Sequence, residues 1–222
     1  MEKNKLGIPE QLGELRLVEN LFELGWLPVV AHNGRPSGYV PRGFESCVRV
    51  LDAIYSDRLG RDLRWSDLDR TIAAHGLQGG LSVRLSGKED LDGTRGEFVP
   101  ERVRYRTLEV IETQIASCFP GPTRCLYALS NLNPLFNPLF NVSVLYSISD
   151  IRSCYVYEGG LGNWRSIWPE ILPSLWWPTD RKWCVARDID INWSYIAGAT
   201  ALTDRLLATD LPCAPVDWDE RM

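Results

Sequence analysis

Two carboxylates in the last fifth of the chain are the residues best suited to chemistry. Asp188 and Asp190 are two residues apart in a segment of strand-like composition, so both side chains would point to one face, about 7 Å apart. Such a pair could hold a divalent cation or divide acid and base roles, with Glu158 or His32 brought near by folding. Acidic residues also mark a strand that ends in a solvent-exposed turn, and the lack of a histidine nearby in the sequence favours this second interpretation.

Motifs of well-known catalytic classes are missing from the sequence. The sequence has two histidines. His32 lies in an Ala-His-Asn-Gly segment, and His75 lies before Gly76 at a predicted helix end, where a cation complements the helix dipole. The sequence has no Gly-x-Ser-x-Gly elbow, no phosphate-binding Gly-Lys-Ser/Thr loop and no zinc-deaminase signature. It also lacks the Cys-x-x-Cys spacing of structural zinc sites. We therefore expect no cofactor and no bound metal.

Composition and charge limit the compartment and the partners. With 24 basic and 29 acidic residues, the chain of 222 residues has a net charge of −5. Nucleic-acid binding would call for a basic face, so nucleic acid is not an expected partner, and a basic protein is mildly favoured. No run of about 18 apolar residues predicts a membrane span, and no signal peptide is evident. The six scattered cysteines then predict reduced thiols in the cytoplasm.

The periodicity of apolar residues predicts one α+β domain over residues 1–222. We expect a mainly antiparallel or mixed sheet with about four to five helices packed on it. Helices are predicted at 9–24, 66–76, 100–118 and 200–208, with a short one around 164–168. Strands are predicted at 45–55, 124–129, 142–148, 153–157, 182–190 and 192–196. Loop-rich segments are predicted at about 78–98 and 130–141 from their glycine and proline content.

Aromatic residues beside prolines and acids are candidate partner contacts. Six of the nine tryptophans lie between 164 and 193, and tryptophan is enriched at binding hot spots. A repeated Asn-Pro-Leu-Phe tetrad at 133–140 and an acidic tail provide further candidates; for each, packing into the core or a frayed terminus is the alternative. The predicted partner-binding residues are Trp164, Trp168, Trp176, Phe136, Phe140, Asp217, Trp218, Asp219 and Glu220.

Three blocks of sequence carry a resemblance to a known family. They are Val-Pro-Arg-Gly-Phe-Glu at 40–45, Pro-Thr-Arg-Cys-Leu-Tyr at 122–127, and Leu-Trp-Trp-Pro-Thr-Asp-Arg-Lys-Trp-Cys-Val-Ala-Arg-Asp-Ile-Asp at 175–190. In this order they resemble a family of uncharacterised bacterial proteins over about half of the chain, and the third block is the most specific. Residues 79–95 and 131–150 depart from the pattern. The family is similar in type to cytosolic immunity partners of secreted toxins and implies no catalytic residues.

Two functions from different classes follow as expectations. The first is a non-enzymatic, cytoplasmic immunity protein that occludes the basic active-site cleft of a cognate toxin domain with acidic and aromatic side chains. The alternative is a metal-dependent hydrolase or nucleotide-modifying enzyme that uses Asp188 and Asp190. Because no catalytic constellation is apparent in the sequence, the non-enzymatic function is favoured.

Overall fold

A large antiparallel β-sheet organises the chain. The structure, a computed structural model, describes residues 11–18, 38–51, 54–56, 61–63, 101–130, 146–149, 152–167, 172–187 and 193–218. The strands are β1 (Gln11–Leu12), β2 (Leu15–Leu17), β3 (Ser46–Leu51), β4 (Ile54–Ser56), β5 (Arg61–Leu63), β6 (Arg124–Ser130), β7 (Tyr146–Ser149), β8 (Arg152–Gly160), β9 (Leu175–Pro178), β10 (Cys184–Arg187), β11 (Trp193–Gly198) and β12 (Cys213–Pro215). The helices are α1 (Glu101–Cys118), α2 (Thr200–Leu207) and a 3-10 helix (Asn163–Ile167).

Strand order in the sheet differs from chain order. Nine strands run β1-β2-β8-β6-β9-β10-β11-β3-β12, β7 pairs with β8, and β4 and β5 form a separate ladder. Every described pairing in the large sheet is antiparallel. β3 pairs with β11 over six residues, from Ser46 opposite Gly198 to Leu51 opposite Trp193. β3, which comes early in the chain, thus lies between the late strands β11 and β12 near one edge of the sheet.

Both faces of the central strands are buried. In β6, Cys125, Tyr127 and Leu129 belong to one apolar cluster, whereas Leu126 and Ala128 belong to the other. This follows from the alternation of side chains along a strand. The first face packs under α1, α2 and the 3-10 helix, and the second face has its own cluster beneath residues 39–44 and 216–218. Strands buried on two sides are apolar at almost every position, which masks the period of two.

The two α-helices are where the sequence predicts them. Leu108, Ile111 and Ile115 are buried along one side of α1, and Pro120 lies just beyond the helix end. α2 begins after Ala199, which provides no side-chain cap. Glu45 takes over that role, because its Oε2 accepts a hydrogen bond from the backbone N–H of Thr200 at 3.0 Å. The predictions at 100–118 and 200–208 are therefore confirmed.

The predicted α+β class with four to five helices on the sheet is wrong. Within the described residues the fold is mostly sheet, with α1 and α2 as its two α-helices. The predicted helix at 9–24 is instead, over its described residues, the β1–β2 hairpin, in which Leu12 is opposite Leu15. Two leucines three residues apart fit a helix or a two-residue hairpin equally well. Gly13, with φ of +57°, decides for the hairpin.

The other element predictions have mixed outcomes. Strands are confirmed at 124–129 (β6), 153–157 (β8) and 193–196 (β11), and β10 covers only part of the predicted 182–190. β9 and β12 are strands that were not predicted. The predicted helix at 66–76 and the loops at 78–98 and 131–141 lie outside the described residues. Neither described α-helix is apolar enough along its length to cross a membrane.

The β1–β2 turn makes a close contact that tolerates only glycine. Gly13 has a positive φ, and an added Cβ would overlap the side chain and carbonyl oxygen of Ser166. Ser166 Oγ also accepts a hydrogen bond from the Glu14 backbone N–H at 2.8 Å. This turn therefore fastens the N-terminal edge of the sheet to the 3-10 helix.

Replacing Gly13 tests that contact. We expect Gly13→Ala to lower the free energy of unfolding by about 1–3 kcal/mol more than Gly43→Ala, because overpacking adds to backbone strain. Gly43 is the control without the contact: its φ of +113° makes the backbone strain of an added Cβ at least as large as at Gly13, but no atom lies within 4 Å of that Cβ. Urea denaturation measures both losses. Equal losses would show that the contact with Ser166 is unimportant.

Candidate functional site

One end of the sheet gathers turns, strand starts and helix ends. We call it the hairpin end, after residues 179–183, the turn between β9 and β10. The strand register places the first residues of β3, β6 and β10 at this end. α1 also ends here, where the Cys118 thiol donates a weak hydrogen bond to the carbonyl oxygen of Ala201, 3.8 Å away. The N-terminus of α2 is therefore beside the C-terminus of α1.

A cavity of about 380 Å³ opens at the hairpin end. Its apolar wall consists of Phe119 and the prolines at positions 120, 122 and 178, and its charged groups are Arg124, Asp180 and Lys182. The backbone N–H of Thr179 donates to the carbonyl oxygen of Arg124 at 3.0 Å, which ties the two sides of the cavity together. It is thus a surface depression with an apolar wall and three charged side chains.

The charges of the cavity form exposed ion pairs. Lys182 Nζ lies 2.8 Å from Asp180 Oδ2, with 61% and 51% of these side chains exposed. Arg124 pairs with Glu158 on the neighbouring strand β8, and its side chain is 58% exposed. Such exposed pairs contribute roughly 0–1 kcal/mol each to stability. These cations can therefore exchange partners at little cost.

The turn at the hairpin end has an unusual backbone at Arg181. Its φ is +60°, a left-handed conformation in which glycine is ordinarily favoured. The Arg181 N–H donates to the carbonyl oxygen of Pro178 at 2.9 Å, and the Lys182 N–H donates to Asp180 Oδ1 at 3.3 Å. These bonds hold a tight turn whose exposed side chains include two adjacent cations.

Negative charge is concentrated at the C-terminal end of the chain. Residues 200–222 include five acidic and two basic residues, and thus account for three of the five net negative charges. Among the described ones, Asp204, Asp210 and Asp217 are exposed. Leu207, at 40% exposed, is the most exposed large apolar side chain in the described chain. We call these four residues the acidic edge: Asp204 and Leu207 lie in α2, Asp210 lies between α2 and β12, and Asp217 follows β12, the last strand in the sheet order.

The tail after β12 is held against the sheet. The Val216 N–H donates to the carbonyl oxygen of Cys47 at 3.1 Å, and Val216 and Trp218 both pack on the second-face cluster. Asp217, between them, is exposed. Trp218 thus packs on its own domain, and a partner contact of Asp217 stays a prediction.

The outer edge of β12 is poorly suited to accept a further strand. Leu51 donates to the carbonyl oxygen of Pro212, and Val216 donates to Cys47, so residues 212, 214 and 216 face β3. Residues 213 and 215 then direct their backbone polar groups outward. Position 215 is proline, which has no N–H to donate there, a common device against edge-to-edge pairing. Recognition at this edge must therefore rely on side chains.

The tryptophans expected as exposed anchors belong to the core. Trp164 is 2% and Trp176 is 3% exposed, so the expected exposure of both rings is wrong. Trp164 lies in the 3-10 helix and donates its Nε1–H to Glu112 Oε2 of α1 at 2.7 Å. Trp176 is central in β9, opposite Tyr127. The large area of an indole ring makes it the natural filler between sheet and helix.

A small polar network fixes α1 on the sheet around Trp164. Glu112 also accepts from Arg165 Nη1 at 2.5 Å, and the Arg165 guanidinium lies 4.9 Å from the centre of the Trp164 ring. The Tyr105 ring is 5.2 Å from the same ring. Because Glu112 neutralises Arg165 and accepts the indole N–H, the network joins α1 to the 3-10 helix.

The remaining predicted residues divide into two groups. Trp168, Phe136, Phe140, Asp219 and Glu220 lie outside the described residues, as do His32, Asp188 and Asp190. Glu158 is described, and it pairs with Arg124.

Glu158 does not lie near the end of β10. Through the register of β8, β6, β9 and β10, it is level with Cys184, the first residue of β10, whereas the two aspartates follow Arg187, the last. Glu158 is three interstrand spacings from β10, about 14 Å across the sheet, and Arg187 is about 10 Å further along the strand direction. Within the described residues, no three His, Cys, Asp or Glu side chains are grouped so that they could hold a metal ion.

All six cysteines are described, and none forms a disulfide. Burial raises the pKa of Cys47, Cys125 and Cys213 from 9.0 to about 12. Burial also raises the pKa of Cys154 and Cys184 well above the usual range. These five thiols stay protonated at neutral pH and act as small apolar groups rather than nucleophiles.

Comparison with protein-family models, with curated proteins and with solved structures found no match. The resemblance of the blocks at 40–45, 122–127 and 175–190 to a bacterial family therefore stays a prediction. Two features were missed in the sequence, the cavity and the exposed Leu207. Leu207 could have been found, because it follows the buried Leu206 of α2 and so lies off the apolar side of the helix.

Truncation of Trp164 separates a core role from a partner contact. We expect Trp164→Ala to lower the free energy of unfolding by about 3–5 kcal/mol, as large buried aromatics do. Leu207→Ala, on the exposed side of α2, should change it by less than about 0.5 kcal/mol. Chemical denaturation followed by tryptophan fluorescence compares the two. A small loss for Trp164→Ala would contradict its place in the core.

The buried thiols predict a loss of stability at alkaline pH. The pKa of each thiol is higher in the folded than in the unfolded protein, so the unfolded state releases protons first as the pH rises. The contribution of the thiols to the free energy of unfolding is therefore complete below about pH 9 and is lost as the pH rises toward 12. Each thiol contributes a slope of about 1.4 kcal/mol per pH unit in this range. Cys154→Ala should reduce the slope by that amount. Val156→Ala, on the same strand and face, removes no titratable group and should leave it unchanged in urea titrations from pH 8 to 11.

Proposed function

We propose that the protein is a non-enzymatic, cytoplasmic immunity protein that binds a cognate toxin domain and blocks its basic active-site cleft. The observation that carries this proposal is the acidic edge, where Asp204, Asp210 and Asp217 are exposed on a well-anchored helix and tail. A cleft that accepts an anionic substrate is basic. A protein that fills such a cleft must present carboxylates in its place.

The anchoring of the acidic edge supports tight binding. α2 buries Leu202, Thr203 and Leu206 against the sheet, and Thr203 Oγ1 lies at hydrogen-bond distance, 2.8 Å, from Ser46 Oγ. Asp204 therefore sits on a helix whose position is fixed before binding. Preorganised side chains lose little conformational entropy on association, and more of the interaction energy remains as affinity.

The acidic edge also combines charge with an apolar contact. Leu207 follows Asp204 by three residues, so both lie on one side of α2. An exposed leucine beside carboxylates can pack on a partner while the charges steer the approach of a basic surface. Since Pro215 disfavours strand addition, the partner would be bound by side chains and not by extension of the sheet. The resemblance to a family similar to immunity proteins supports the same function.

The test begins with a pull-down, in which the tagged protein captures its partner from a lysate of its own cells. The partner is identified by mass spectrometry and assayed for toxicity. The purified partner is then titrated with the double variant Asp204→Asn/Asp217→Asn. We expect its affinity to fall about 10-fold to 100-fold, roughly 1.4–2.8 kcal/mol, with most of the change in the association rate at low salt.

The matched control is Glu109→Gln/Asp180→Asn, which changes the net charge equally on α1 and at the hairpin end, at ion-paired side chains that are 45% and 51% exposed. Its affinity should stay within about twofold of the unsubstituted protein, a difference of roughly 0.4 kcal/mol. If the captured partner has no toxic activity, the immunity function is wrong. If the control weakens binding as much as the acidic-edge variant, net charge and not this surface determines affinity.

A further inference from the structure

We infer that the cavity at the hairpin end is a binding site for a small oxyanion, a phosphate or carboxylate group on a compact organic molecule. This inference is independent of the proposed function, because it concerns a different surface and needs no protein partner. The volume of the cavity, about 380 Å³, lies at the small end of the range of ligand pockets.

Two cations on different elements line the cavity. Arg124 begins β6 and Lys182 ends the turn between β9 and β10, and both belong to the cavity wall. The hydrogen bond from the Thr179 N–H to the Arg124 carbonyl oxygen joins the start of β6 to the start of the turn that contains Lys182. A planar guanidinium and an ammonium that line one depression suit an oxyanion, which can accept from both. The hydroxyl-bearing Thr123 and Thr179 also line it.

The carboxylates that now pair with these cations do not block the site. Arg124 pairs with Glu158 and Lys182 pairs with Asp180, and the side chains of the two cations are 58% and 61% exposed. A bound oxyanion could join or replace these carboxylates, since exposed pairs contribute little stability. Asp180 is also held by the backbone N–H of Lys182, so it can remain in place while the ammonium group turns to the ligand.

The turn that carries Lys182 also contains Arg181. This residue has a φ of +60° in the tight turn described above, and its side chain is a third exposed cation in the same turn. The apolar wall of Phe119 and three prolines gives the rest of a compact ligand a rigid surface to contact.

The experiment is a titration of the full-length, ¹⁵N-labelled protein, followed by amide chemical shifts. The probes are inorganic phosphate and acetate, each compared with chloride at equal ionic strength. We expect saturable shifts confined to residues 118–124 and 178–183. If only phosphate saturates the site, the ligand class is a phosphate ester. If acetate saturates it as well, the ligand class includes carboxylates. If neither anion differs from chloride, the inference is overturned.

Variants make the outcome specific to the cavity. Arg124→Gln/Lys182→Gln should weaken binding at least tenfold, whereas Arg16→Gln/Arg106→Gln, an equal change of charge at exposed positions on β2 and α1, should leave it within twofold. Lys182→Gln alone is the second variant, because it keeps the Arg124–Glu158 pair should the double variant unfold. Equal weakening by the Arg16 and Arg106 substitutions would show screening by net charge and would overturn the site. The free protein is used throughout, so failure here leaves the partner-binding test unaffected.

Discussion

Burial of the central strands on both faces is the constraint on which the rest of the structure depends. β6, β9, β10, β11 and β3 direct apolar side chains to two separate clusters, so each face must be covered before the sheet can be stable. α1, α2 and the 3-10 helix cover the first face. Residues 39–44 and the tail after β12 cover part of the second.

This constraint separates the residues that build the fold from those available for recognition. Trp164, Trp176 and Trp183 are all less than 4% exposed, because two-sided burial uses large rings as filler. The exposed charges on which the two proposals depend lie at the margins, with cations around the cavity at the hairpin end and carboxylates along α2 and the tail, whereas Arg49 of β3 and Arg187 of β10 are buried within the sheet. The molecule thus presents surfaces of opposite charge, and both are anchored by the same sheet. The two proposals depend on this division.

Local sequence predicted the elements whose signals are strong and short in range. α1 was predictable from Leu108, Ile111 and Ile115 with Pro120 beyond, and α2 from a similar spacing. β6 and β8 were predictable from runs of apolar and aromatic residues. The hairpin of β1 and β2 was not, since Leu12 and Leu15 fit a helix as well as a two-residue turn. β12 was missed because three residues, one of them a proline, form a strand only when β3 is beside them.

The sequence by itself determined composition, charge, the two α-helices and the concentration of acidic residues after position 200. Each of these depends on residues close together along the chain. Only the tertiary structure decided which aromatic rings are buried, that Glu112 holds Trp164, that Glu45 caps α2, and that Arg124 and Lys182 share one cavity. These relations join residues between 50 and 160 positions apart. The physical reason is that strand order and register bring such residues together, and no local periodicity encodes that order.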